Sequence, residues 1–290
     1  MYPTEVAINQ KGIDKLIATY KRAYKDILGE ITTATDFGVY HRKQILSQIE
    51  DTLTKLGENT QEFIEKELPK YYVSGANDAV TQLKAIDAPV RVGSGFSKVH
   101  KLAIAALVDD TAKAFGESLT GVNRSANLML NKAVKEEITQ RLATGQIKGE
   151  ALRQTKKAVV GAIQQQGLDA LKDKGGHSWT LDRYSEMLIR TKAVEARNRG
   201  FGNRMVENGY DLVQVSRHFS THEECRVWEG EILSFSGATK GYKTVQDAEE
   251  AGLFHPNCKH AINALHMEIA RETMAWDAEN QRYTKGLLTK

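Results

Sequence analysis

Between Val215 and Leu265 the chain gathers both of its cysteines, Cys225 and Cys258, and four of its eight histidines, His218, His222, His255 and His260. Thiolate sulfur and imidazole nitrogen are the ligands of a tetrahedral structural zinc. They must converge closely, because zinc holds sulfur at about 2.3 Å and nitrogen at about 2.0–2.1 Å. The most economical set is His222-x-x-Cys225 followed, after a long connection, by Cys258-x-His260. Residues three apart can share a tight turn or the first turn of a helix. Residues two apart project to the same side of an extended segment. Pro256-Asn257, just ahead of Cys258, supplies turn chemistry that would lead the second pair into place. His218 and His255 compete for the two nitrogen positions.

Other chemistries fit the same residues less well. The thiols could be buried apolar groups with histidines bonded nearby, or they could pair as a disulfide under oxidant. An open catalytic zinc would need three protein ligands, a water and a base such as Glu223, Glu224 or Glu229. His222-Glu223 lacks the second histidine of HExxH. A Cys/His nucleophile has no supporting signature. Arg190, Thr191, Ser220 and Glu229 occur in the order of an ADP-ribosyltransferase-like Arg/Ser/Glu set, an order that many chains show by chance. The residues therefore favour a non-enzyme, with a nucleotide-modifying enzyme or toxin as the alternative.

Composition narrows the class further. A chain of 290 residues, with 41% hydrophobic and 27% charged residues, has the make-up of a globular protein able to bury a sizeable core. The balance of 40 Lys+Arg against 37 Asp+Glu permits nucleic-acid contact without arguing for it. Lys11, Lys15, Lys21, Arg22 and Lys25 form one basic helix face, whose simplest reading is a solvated one. No apolar run approaches the roughly 18–20 residues of a membrane span. The N-terminus lacks the pattern of a secretory signal, and two cysteines are too few for a disulfide framework, so the expectation is a soluble protein of the cytoplasm.

The elements that must position the site read as mostly helical. Apolar residues from Ile13 to Ile31, and again from Ile45 to Leu68, recur at helical spacing, with Pro69 expected to stop the second run. An antiparallel helical pair is the inference. Residues 85–96 form a break, Ser97 stands where a helix cap would, and amphipathic runs follow to residue 142 and over 150–166. DKGGHSW, residues 173–179, marks the best boundary. Beyond it one helix runs from Leu181 to an Asn208-Gly209 cap. A strand follows in DLVQVSRHF, then a short strand at residues 230–233, a short helix in TVQDAEEAG and a strand in KHAINAL. The tail from His266 is charged and helix-prone. The fold class is α+β, mostly α, with a helical region over 1–176, a small α+β module stapled by zinc over 177–265, and a helical tail over 266–290.

YSEMLIRTKAVEARNRG, VSRHFSTHEECRVWEGEILSFSG and GLFHPNCKH occur in that order across residues 179–265. In this stretch the chain resembles the tailed-phage minor capsid protein 2 family, related to Mu-F-like head-morphogenesis proteins. Such proteins tend to show Cys-x-x-Cys and later His-Pro-Asn-Cys-Arg-Cys. His222 and Cys225 fall on the first pair, and Cys258 and His260 on the second. Histidine thus stands at two positions where relatives have cysteine, an exchange zinc tolerates. The resemblance implies a few-copy structural protein of the virion head, assembled in the host cytoplasm. It would associate with portal, major capsid or scaffold protein and influence DNA packaging or ejection, with phage DNA a further contact and no membrane. The helical half would be the docking element.

Overall fold

The computed structural model describes residues 10–34, 39–92, 95–144, 153, 157, 160–161, 179–217, 222–256, 258–265, 274–277 and 282–285. Among the described residues five long helices lead: α1 (Gln10–Thr33), α2 (Val39–Lys66), α3 (Leu68–Ala85), α4 (Lys98–Thr144) and α5 (Leu181–Glu207). Then come β1 (Leu212–Val215), the single-turn α6 (Glu223–Arg226), β2 (Ile232–Ser234), α7 (Val245–Glu250), β3 (Ile262–Asn263), β4 (Met274–Asp277) and β5 (Arg282–Lys285). The fold is α+β and mostly α. None of the described helices is long and apolar enough to cross a membrane.

Contacts divide the chain into two compact units. One comprises Lys11–Ile64 and Asp110–Ile189, and its described residues are helical apart from 34, 179 and 180. On α1 it buries Ile13, Leu16, Ile17, Tyr20, Ala23, Ile27 and Ile31, the three-and-four spacing of one helix face. Ile49, Leu56 and Ile64 of α2 are fully buried in the same way. Tyr20 carries its hydroxyl into that interior and bonds it to Thr60 on α2 at 2.9 Å, while its ring lies 6.1 Å from Phe115 on α4. A buried phenol needs such a partner, since an unpaired polar group in a core costs about 1–3 kcal/mol.

The second unit comprises Met1–Gln10, Glu65–Asp109 and Arg190–Lys290, and it holds the site. Its sheet has the order β2-β1-β3, antiparallel throughout, with Val213 opposite Leu233 and Val215 opposite Ile262. Ala79 and Leu83 of α3 and Phe201 and Met205 of α5 join Val213, Val215, Leu233 and Ile262 in one core. Helices α3 and α5 touch backbone to backbone. A Cβ on Gly75 would strike the Arg197 carbonyl, and one on Gly200 would strike the Tyr72 carbonyl. Gln82 of α3 then binds β3 from the side, donating to Asn263 at 3.1 Å and accepting from the Ala264 N–H at 2.8 Å. Buried Arg197 of α5 donates to Asp78 at 3.3 Å and to the Ile262 carbonyl at 2.7 Å. The bonds to the Ile262 carbonyl and the Ala264 N–H occupy backbone groups of β3 and its continuation.

Several expectations change in detail. Pro69 ends α2 as anticipated, but it also sits in the first turn of α3, where its missing N–H costs nothing and its fixed φ suits a helix. Gly209 ends α5 at φ 90°, with Gly209 N–H bonded to the Val206 carbonyl and Tyr210 N–H to the Met205 carbonyl, a Schellman closure. The tail expected to be helical contains an antiparallel strand pair, β4 with β5, pairing Trp276 with Tyr283 in register. Trp, Tyr and Thr are strand-favouring types, and they outweigh the charged composition that suggested a helix. Of the helix expected over 150–166, only residues 153, 157, 160 and 161 are described, all helical. Residues 173–178 and His218 lie outside the described residues.

Candidate metal centre

Three short segments of the second unit build the site. After β1 the chain enters α6, a single turn that follows His222 in extended conformation. This turn buries Cys225 in the module's core at 1% exposure. The second segment descends from α7, whose start is fixed by a capping box between Thr244 and Asp247. Leaving α7 the chain reverses through Gly252 (φ 103°) and Phe254 (φ 58°). A phenylalanine in the left-handed region is uncommon and costs on the order of 1 kcal/mol or more, so the surrounding packing must hold it. Leu253 anchors the reversal at 2% exposure. A bond from the Cys258 N–H to the His255 carbonyl, 2.8 Å, then closes a turn with Pro256 at its second position. The third segment is the lead into β3, whose pairing with β1 fixes His260 in the interior at 2% exposure.

The ligand atoms of Cys225, Cys258 and His260 lie within 4.8 Å of one another, a spacing that can hold a metal ion. Cys258 Sγ is 3.1 Å from His260 Nδ1. The other ring nitrogen of His260, Nε2, is 3.0 Å from Glu229 Oε1. A carboxylate only accepts, so Nε2 carries the proton and Nδ1 turns its lone pair toward the thiols. Carboxylates commonly orient metal-binding histidines in this way. Burial pushes the Cys258 thiol up to about 11, with Cys225 beside it acting in the same direction and backbone hydrogen bonds from His260 and Phe254 acting against it. A Cys258 thiol in such surroundings stays protonated on its own, and a bound divalent cation would favour its thiolate. The donor set, two soft sulfurs and an oriented imidazole, fits zinc.

The remaining sequence candidates fall as follows. Cys225, Cys258 and His260 are brought together. His222 is exposed, and its ring lies against that of His255 with centroids 4.3 Å apart. His255 Nε2 is 3.3 Å from Cys225 Sγ. Glu229, weighed as a catalytic base, is bonded to His260, while Glu223 and Glu224 are exposed on α6. Of the Arg/Ser/Glu set, Ser220 lies outside the described residues and Arg190 is half-buried on α5.

A polar hub nearby escaped the sequence reading. Asp211, just ahead of β1, accepts from the hydroxyls of Ser234, Ser236 and Thr239 and from the N–H groups of Ser236 and Thr239, at 2.5–3.0 Å. Burial alone would raise its carboxyl, but these hydrogen bonds outweigh burial and hold it below the usual range. The spacing of Ser234, Ser236 and Thr239 after a strand was the available signal.

A family model described as phage minor capsid protein 2 matches residues 12–285. No curated protein and no solved structure matches the chain.

Proposed function

The chain belongs to the phage minor capsid protein 2 family, and from that premise we propose that it is a head component bound to the portal or the inner face of the shell, where it assists head assembly, DNA packaging or ejection. A structural capsid role and a place in the virion follow from the family itself. The observation that carries the finer reading is the extent of the match, which takes in the helical unit as well as the sheet-bearing one. A protein retained as a whole for a structural role needs surfaces for neighbours, and long helices provide them. Portal, major capsid and scaffold protein are the partners of this reading, with phage DNA a further contact.

Within that role, the cluster of Cys225, Cys258 and His260 is assigned one structural zinc that staples α6 to the lead into β3. A buried Cys225, a part-buried Cys258 and a glutamate already engaged by histidine suit a closed structural site better than an open catalytic one. Assembly in the host cytoplasm would supply reduced thiols for it.

Gradient-purified heads test the reading. Mass spectrometry should find this chain in fewer copies than the shell protein, and cross-linking should join it to portal. Absence from heads would overturn the head role. Presence with cross-links to the shell alone would overturn the portal clause.

A further inference from the structure

We propose that His255 is the fourth ligand of the metal centre, completing a closed two-nitrogen, two-sulfur site with Cys225, Cys258 and His260. This inference rests on the metal reading above and goes beyond it by assigning the ligand that the His222-x-x-Cys225 spacing places elsewhere.

The argument begins with the two histidines that touch a thiol. His260 is locked by Glu229 so that Nδ1 faces Cys258 at 3.1 Å. His255 repeats the device with its nitrogens exchanged. Its Nδ1 is 2.8 Å from the Pro256 carbonyl, and its Nε2 is 3.3 Å from Cys225 Sγ. A carbonyl oxygen only accepts, so Nδ1 must carry the proton. The lone pair of the neutral ring is then on Nε2, the atom that faces sulfur. Each thiol is thus met by one imidazole whose far nitrogen is held by a fixed oxygen acceptor. That pairing of an inward lone pair with an outward N–H bond is how metal-binding histidines are commonly fixed.

The separation from Cys225 agrees with the assignment, while His255 stands outside the three residues whose ligand atoms all lie within 4.8 Å of one another and must close on the other two. Four nitrogen and sulfur atoms around one tetrahedral zinc lie about 3.3–3.8 Å from one another, as the bond lengths require. The sulfur–nitrogen separations of 3.1 and 3.3 Å are close to that span before any ion draws the groups together. His255 is only half-buried and belongs to the turn closed by Cys258, so its further approach is a side-chain adjustment. His222, by contrast, is exposed, and its ring lies beside that of His255.

Zinc and cobalt(II) binding to the full-length chain, stripped with chelator under reducing conditions, provides the test. Wild-type protein should take up one ion per chain, with a tetrahedral cobalt spectrum and thiolate charge transfer. Uptake of no metal would overturn the metal reading itself, and this inference with it. Given uptake, His255→Ala should weaken zinc binding by more than the about 10–100-fold that loss of an outer partner brings, and should alter the cobalt spectrum. His222→Ala should leave both unchanged. Glu229→Gln should fall within about 10–100-fold. His255→Cys restores a ligand and should bind tightly with the charge transfer of a third thiolate, whereas His222→Cys should not. Wild-type affinity in His255→Ala, or a third thiolate only in His222→Cys, would overturn the assignment while leaving the metal reading intact.

Discussion

Asp211 shows how one residue can hold a loop to a sheet. Five donors from Ser234, Ser236 and Thr239 converge on its carboxylate, so the chain after β2 is tied to the start of β1. Charge-assisted bonds of this kind are about twice as strong as neutral ones, and removing the charge leaves donors buried without it. Asp211→Asn is expected to lower stability by about 2–3 kcal/mol near neutral pH in urea unfolding. The pH dependence has a definite sign. The folded-state pKa lies below the unfolded one, so the contribution is fully present above the ordinary aspartate value of about 3.9 and is lost as pH falls through the depressed folded value. Wild-type stability should therefore decline on acidification in that window, and Asp211→Asn should decline less. An unchanged acid limb in the variant would show that the hydrogen bonds do not stabilise the ionised form. At the same scale the metal centre was half legible. The residue types suggested zinc, and of the four residues chosen by spacing the fold brings Cys225, Cys258 and His260 together in a group that could hold a metal. Spacing also favoured His222, because a separation of three residues reports only local reach. The position of His255 depends on the reversal at Gly252 and Phe254, which no periodicity reveals.

Among the elements, the α3–α5 contact is the most exacting. Gly75 and Gly200 face each other's helix so closely that either Cβ would meet a backbone carbonyl, which cannot swing aside as a side chain can. Ala at either position should therefore destabilise by about 1–3 kcal/mol or more, through overpacking or a forced shift of the helices. Gly29 in α1 and Gly116 in α4 provide the control, since a Cβ at either meets nothing within 4 Å. There the same change should stabilise by about 0.4–1 kcal/mol, because alanine has less backbone freedom to lose. Thermal unfolding of the four variants would decide it, and destabilisation at all four positions would defeat the steric account. Gly161, noted in the sequence for its cost within a helix, likewise has open space around its Cβ position. Helix periods, the Asn208-Gly209 cap and the strand alternation of β1 were readable because each depends on neighbours within a few residues. The backbone contact was not, since glycine in a helix reads as a weakness until its partner is known.

For the molecule as a whole, the informative feature is the membership of the sheet-bearing unit. It draws on Glu65–Asp109 as well as Arg190–Lys290. Leu83 and Ala79 complete its core, and Gln82 and Asp78 hold β3 and Arg197. A fragment spanning 177–265 would lack all four residues. It is expected to unfold without cooperativity, and a fragment that also carries residues 65–109 in the same chain is expected to recover a transition. Circular dichroism through a thermal ramp would distinguish them, and a sharp transition in the short fragment would mean that α3 is dispensable to the module. The full-length chain remains the right material for head-incorporation experiments, because a large N-terminal deletion would remove α3 along with any docking surface.

By itself the sequence determined the helical majority, the short strands around the centre, the gathering of thiol and imidazole residues in one stretch and the family to which the chain belongs, while it read the tail as helix and left α3 unmarked. These rest on short-range periodicity, turn chemistry and motif order, all of which are written along the chain. Tertiary structure alone decided that α3 closes the C-terminal core, that Asp211 gathers the loop after β2, and which imidazole faces which thiol. Those outcomes depend on distances between residues far apart in sequence. Burial sets such distances, and it is a property of the packed molecule rather than of any segment in it.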